Sequence, residues 1–134
     1  MGEGTRHFAL GRVREGRSAD VVFARLDDSG ARIGADLVVR SADGLADLPA
    51  MVWTGTEYGI AWRDPRSGGP AGEIYFTRVS AAGIEIGMER NLTMDALDTS
   101  QLWLTGDSAR FGAFYHSAAV DNSVAGKYFL TVCP

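Results

Sequence analysis

Residues 53 positions apart in this chain match, and that spacing constrains the fold more than any other feature. The stretch "DVVFARLDDSGARIG" (residues 20–34) is a cousin of "EIYFTRVSAAGIEIG" (residues 73–87). Phe23 stands to Phe76 as Arg25 to Arg78, Gly30 to Gly83, Ile33 to Ile86 and Gly34 to Gly87. Tyr75, Phe76 and Val79 recur once more, 53 positions on, as Tyr128, Phe129 and Val132. The preceding segment repeats as well: "VWTGTEYGIAW" (residues 52–62) resembles "WLTGDSARFGAFY" (residues 103–115). Thr54-Gly55 aligns with Thr105-Gly106 and Tyr58-Gly59 with Phe111-Gly112, which implies two extra residues in the later turn. "RHFALGRVREGRSADVVF" (residues 6–23) reads as a weaker copy of the same unit. A period of this length is the mark of a repeat architecture.

Each full unit reads as four short strands. The first is Ala50 to Trp53. The second, Tyr58 to Arg63, sets Tyr58, Ile60 and Trp62 on one face and Gly59 and Ala61 on the other, the period-two pattern of a strand. The loop "DPRSGGPAG" (residues 64–72) is too rich in proline and glycine to continue it. The third strand, Ile74 to Val79, is β-branched and aromatic. The tight turns "DDSG" and "SAAG" follow, with Gly30 and Gly83 expected at positive φ. A fourth, more polar strand is expected at Asp36 to Arg40 and at Glu89 to Thr93. The nearest approach to a helical pattern is "SADGLADLPAM" (residues 41–51), which Pro49 limits.

The expected fold is therefore all-β: β-propeller-like four-stranded antiparallel blades, about 2.5 repeats to the chain, a partial propeller in one domain over residues 1–134. Residues 1–45 would form a partial blade, 46–95 a full blade and 96–134 a second partial blade. The segments from Pro49 to Arg66, Glu73 to Val79 and Gly83 to Gly87 resemble the tandem-repeat β-propeller proteins common in bacterial genomes. In those, a "V-W-x-G-x-x-Y-x-V-A-W-x-D" hairpin precedes "I-Y-F-x-R-V-x-x-x-G-x-x-I-G". The resemblance implies a fold and little about activity, because propellers host enzymes, lectins and docking platforms alike.

A propeller closes with four blades or more, and this chain holds fewer. Its terminal blades would each leave an apolar face without a neighbour, and such faces mark association surfaces. Two explanations follow: a homo-oligomer, foremost a dimer, in which a second copy completes the ring, or a part of a longer propeller chain. The homo-oligomer is the favoured expectation.

Charge and composition narrow the function classes. A net charge of −4 and a pI near 5.1, with no lysine/arginine cluster, give no footprint for nucleic acid. No apolar run approaches the ~20 residues of a membrane span, and the N-terminal residues show no signal-peptide core. Neither feature fixes a compartment, nor does the single Cys133, which cannot form a disulfide within the chain.

Catalytic signals are weak. "GDS" (residues 106–108) resembles a nucleophile turn, yet the chain has only His7 and His116 as bases, and Ser108 falls in an ordinary hairpin. Two distant histidines and one cysteine give no metal-ligand spacing, and no cofactor is expected. "NLT" (residues 91–93) fits a glycosylation sequon but reads as strand, and "SADG" (residues 41–44) resembles an Asp-box turn with the wrong spacing to Trp53. Asp64 and Arg66, which flank Pro65 in "RDPRSGG", could pair across a structural turn or present a polar face to a ligand, and with Tyr115 and His116 at the sister position they are the stronger candidates for ligand binding. Trp53, Trp62, Trp103, Tyr58 and Tyr115 could stack on sugar rings, although strand alternation favours most of them in the core. Arg25 and Arg78 read as structural ion-pair partners.

The sequence thus points to a non-enzymatic binding or scaffold module, with a glycan or a protein as possible ligand. A lectin-like propeller and a fragment of a hydrolase-type propeller enzyme are the alternatives.

Overall fold

The computed structural model describes residues 6–13, 19–40, 46–66, 72–95, 97–119, 121 and 123–133. Ten strands run in chain order: β1 (Arg6–Val13), β2 (Ala19–Leu26), β3 (Leu37–Arg40), β4 (Asp47–Trp53), β5 (Glu57–Asp64), β6 (Glu73–Ser80), β7 (Glu85–Asn91), β8 (Asp98–Gly106), β9 (Phe111–Ala118) and β10 (Ala125–Val132). The chain is all-β among the described residues. It forms three antiparallel sheets in which each strand pairs with its sequence neighbour: β1-β2-β3, β4-β5-β6-β7 and β8-β9-β10. None of the three closes on itself.

The tight turns form for the reason the sequence suggests. Gly30 and Gly83 sit at φ +86° and +83°, a region open to glycine and costly for other residues. Each donates its N–H back to a carbonyl three residues earlier, Gly30 to Asp27 and Gly83 to Ser80. Their equivalence extends into the ladders. Phe23 pairs with Ala9, Phe76 with Ala61 and Phe129 with Phe114, so residues 53 apart hold the same rung of their hairpins.

Three local expectations are adjusted. The fourth strand of the middle sheet runs earlier than Glu89 to Thr93, over Glu85–Asn91, because it pairs with β6 as soon as the Gly83 turn allows. Residues 41–45 of the weak helical pattern lie outside the described residues, and Asp47–Trp53 is strand. Pro49 is tolerated there because β4 is an edge strand and the ladder shifts between Asp47 and Ala50; Leu48 takes φ +49° in that irregularity.

The third adjustment concerns the hairpins, whose turns have equal lengths. Thr54 N–H donates to Glu57 O at 3.0 Å and Asp107 N–H to Arg110 O at 3.0 Å. Thr105 is still in β8, opposite Gly112, so its likeness to Thr54 is two places out of register. The surplus residues lie in the longer strand β8, not in the turn.

Two hydrophobic clusters hold the sheets together. Val21, Phe23 and Val39 of the first sheet pack against Tyr58, Ile60, Trp62 and Val79 of the second. On the opposite face of the second sheet, Ala61, Ile74 and Phe76 pack against Phe111, Tyr115 and Val132 of the third. The alternation in β5 is the cause: Tyr58, Ile60 and Trp62 face one neighbour, while Gly59 and Ala61 leave room for the other. The middle sheet is therefore covered on both faces, and each outer sheet keeps one face away from it.

Candidate functional site

Asp64 ends β5 on the face toward the first sheet, and its side chain is only 2% exposed. A carboxylate so buried needs partners. It accepts a hydrogen bond from Arg40 Nε at 2.8 Å, from Arg66 Nε at 2.8 Å and from the Arg66 backbone N–H at 2.9 Å, with the Trp62 indole N–H at 3.4 Å. Burial pushes the Asp64 carboxyl up, but the bonds from Arg66 and Arg40 outweigh it and hold the group below its ordinary range. Arg66 in turn pairs with Glu89 of β7 and lays its guanidinium 3.8 Å from the centroid of the Tyr75 ring, which stacks beside Trp62. Burial opposes the charge of Arg66, and its bonds to Glu89 and Asp64 raise its pKa nonetheless.

The two sequence candidates therefore do meet, but as the middle of a chain, Arg40–Asp64–Arg66–Glu89, in which each charge has an opposite partner. That arrangement locks the first sheet to the second. Its chemistry is structural: the arginine donors and the acceptor oxygens are turned on one another.

Tyr115 and His116, neighbours in β9, point to opposite faces. Tyr115 is buried in the cluster between the second and third sheets and stacks on Tyr128 at 5.4 Å. Burial raises its pKa, as do the charge of Asp95 and the nearby Tyr128 and Glu73. His116 lies on the outer face of the third sheet, its Nδ1 2.8 Å from Ser100 Oγ. Neither shares a hydrogen bond or ion pair with Asp64 or Arg66.

Other sequence candidates fall into place. Ser108 lies in the turn that Asp107 organises by accepting the N–H groups of Ala109 and Arg110. Asn91 ends β7, and Thr93 beyond it is used internally. Residues 41–44 lie outside the described residues. Arg78 forms a two-bond pair with Glu57, and Arg25 reaches the carbonyl of Ala81 at 3.4 Å. Trp62, Tyr58 and Tyr115 are core residues, whereas Trp53 and Trp103 are 44% and 52% exposed.

Two features escape a reading of the sequence. Glu73, at the start of β6, is nearly buried, and no basic side chain among the described residues pairs with it. Its Oε2 accepts the Thr93 hydroxyl at 2.5 Å. Burial pushes its carboxyl up, the Thr93 bond opposes this, and the charge of Asp95 adds to the rise. The only available signal was an acid opening a strand at the spacing of Asp20 from Glu73. The second feature is the outer face of the third sheet. Trp103, Phe114 and Phe129 stand opposite one another across β8, β9 and β10, with ring centroids 6.3 Å apart at each step. All three are half exposed. Together they form an exposed aromatic ladder across the outer face of the third sheet. Comparison with known families, curated proteins and solved structures finds no match to the chain.

Proposed function

We propose that the chain is a non-enzymatic binding or scaffold module made of propeller-like blades, akin to the bacterial tandem-repeat propellers, and that it assembles as a homodimer that closes the ring. The three sheets supply three blades, and two copies supply six. The observation that carries this reading is the exposed ladder of Trp103, Phe114 and Phe129. Three large apolar rings aligned on one face of a small protein are the mark of an association surface. The charged groups support it from the other side: Asp64, Arg66, Arg63 and Arg78 are all engaged in ion pairs.

Light scattering on the chromatographed protein tests the reading. A mass of twice 14.3 kDa is expected, and a mass near 14.3 kDa would refute self-assembly. A lectin-like role is the second reading, since the same aromatic ladder suits the apolar face of a sugar ring. A glycan array separates the two, because assembly alone produces no carbohydrate signal.

A further inference from the structure

β2 and β6, whose residues match 53 positions apart, are each paired on both sides, by β1 and β3 and by β5 and β7. β10 stands one further period on, and among the described residues it pairs with β9 alone. The edges covered by β3, β7 and their flanking residues are bonded in the same way. Asp27 N–H donates to Ala31 O and Ser80 N–H to Ile84 O, each at 2.8 Å. Ile33 N–H donates to Arg25 O at 2.9 Å and Leu92 N–H to Ile74 O at 2.7 Å. Alternate residues of an antiparallel strand turn their N–H and C=O groups to the same side. By the 53-residue equivalence, those of Lys127, Phe129 and Thr131 turn to the free edge of β10.

The two covered edges also show what a fourth strand brings. Leu37 stands opposite Phe23 and packs against the core there, and Arg90 stands opposite Phe76. Arg40 stands opposite Val21, and Leu92 meets Ile74. In β10 the matching positions are Phe129, 59% exposed, and Lys127, also exposed. Lys127 sets a cation where its sisters Val21 and Ile74 are apolar and buried, and it has no ion pair among the described residues. An open strand edge is a template for a further strand.

We propose that the free edge of β10 takes up an extended segment of a partner protein as a fourth strand, antiparallel to β10 and in the register that β7 holds on β6. The rungs define the segment's chemistry: an aliphatic side chain opposite Phe129, as Leu37 is opposite Phe23, and an acid two residues later, opposite Lys127. Backbone bonds supply the affinity, and these two side chains supply the selection. Charge argues against a second copy's β10 as the occupant, because "AGKYFLTV" brings another lysine and no acid. The proposal goes beyond self-assembly and uses a different surface, the rim of the third sheet instead of its face, so either can hold without the other.

Amide hydrogen exchange read residue by residue tests this, with a synthetic peptide of residues 84–93 carrying Arg90→Leu and Leu92→Glu as the probe. In the protein alone, the amides of Lys127, Phe129 and Thr131 are expected to exchange quickly and those of Tyr128 and Leu130 slowly. The peptide is expected to slow the first three. Lys127→Glu, at an exposed position, is expected to weaken the peptide about fivefold, and the peptide with Leu92→Lys to recover the loss. No slowing by the peptide overturns the proposal, as does slowing that is indifferent to the charge swap. Slow exchange of the three outward amides without peptide means that the edge is already covered, by a second copy if the protection grows with concentration, and this also overturns it. None of these readouts depends on the mass in solution, so failure here and failure of self-assembly are told apart.

Discussion

Arg63 and Asp64 are adjacent in β5 and hold different sheets. Asp64 turns toward the first sheet and takes Arg40 at 2.8 Å. Arg63 turns the other way, binding Asp47 of its own sheet through two bonds of 2.7 Å and reaching Asp98 and the Thr99 carbonyl of the third sheet, each at 3.1 Å. One dipeptide thus clamps both neighbours of the middle sheet, a consequence of the period-two alternation of a strand.

Removing the Asp64 carboxylate leaves Arg40 and Arg66 without their shared acceptor. Breaking a buried pair from one side costs about 3 kcal/mol. Asp64→Ala is expected to lower the urea midpoint accordingly, with the loss concentrated at the junction of the first two sheets.

Arg63→Ala separates the second and third sheets by a milder route, because Arg63, Asp47 and Asp98 are a quarter to two-fifths exposed and solvent screens them. A loss of about 1 kcal/mol is expected. Hydrogen exchange should rise first in β8 to β10 and leave β1 to β3 largely protected.

Gly59→Ala places a methyl 2.6 Å from the Phe111 ring and 3.0 Å from that of Phe76. Overpacking of this kind costs about 1–3 kcal/mol. Thermal unfolding should show a clear drop in midpoint, whereas an unchanged midpoint would mean that the two rings yield easily.

The pH dependence separates two acids. Asp64 titrates below its unfolded value, so its contribution to stability is present above the ordinary aspartate range and is lost as the pH falls through its folded pKa. Burial raises Glu73 above the ordinary glutamate value of 4.5, so the native state holds the proton more tightly. Its stabilising contribution is full below pH 4.5 and is lost as the pH rises through the folded value. Glu73→Gln, which keeps an acceptor for Thr93, is expected to flatten the decline above pH 4.5 in a series of urea titrations and leave the acid limb unchanged.

The strands and turns were legible because their causes are local. Alternation in Tyr58 to Arg63 names the two faces of β5, and Gly30 and Gly83 announce the turns that need positive φ. The opposite charges of Asp64 and Arg66 on either side of Pro65 were enough to suggest their pairing. Arg40 and Glu89, 24 and 23 residues away, were not visible as their partners, because that depends on how two sheets stack. Trp103 was harder still. Its face is set by the register of β8, which shifts between Thr99 and Gln101, so a ring expected in the core stands in solvent. Nothing in an isolated strand distinguishes an aromatic that faces a neighbouring sheet from one that awaits it.

Small-angle scattering of the purified protein decides whether two copies close the proposed ring of propeller-like sheets. Two copies packed as one compact particle should give a radius of gyration of about 18 Å. A lone compact chain, at about 14 Å, or the profile of an elongated open stack would contradict it.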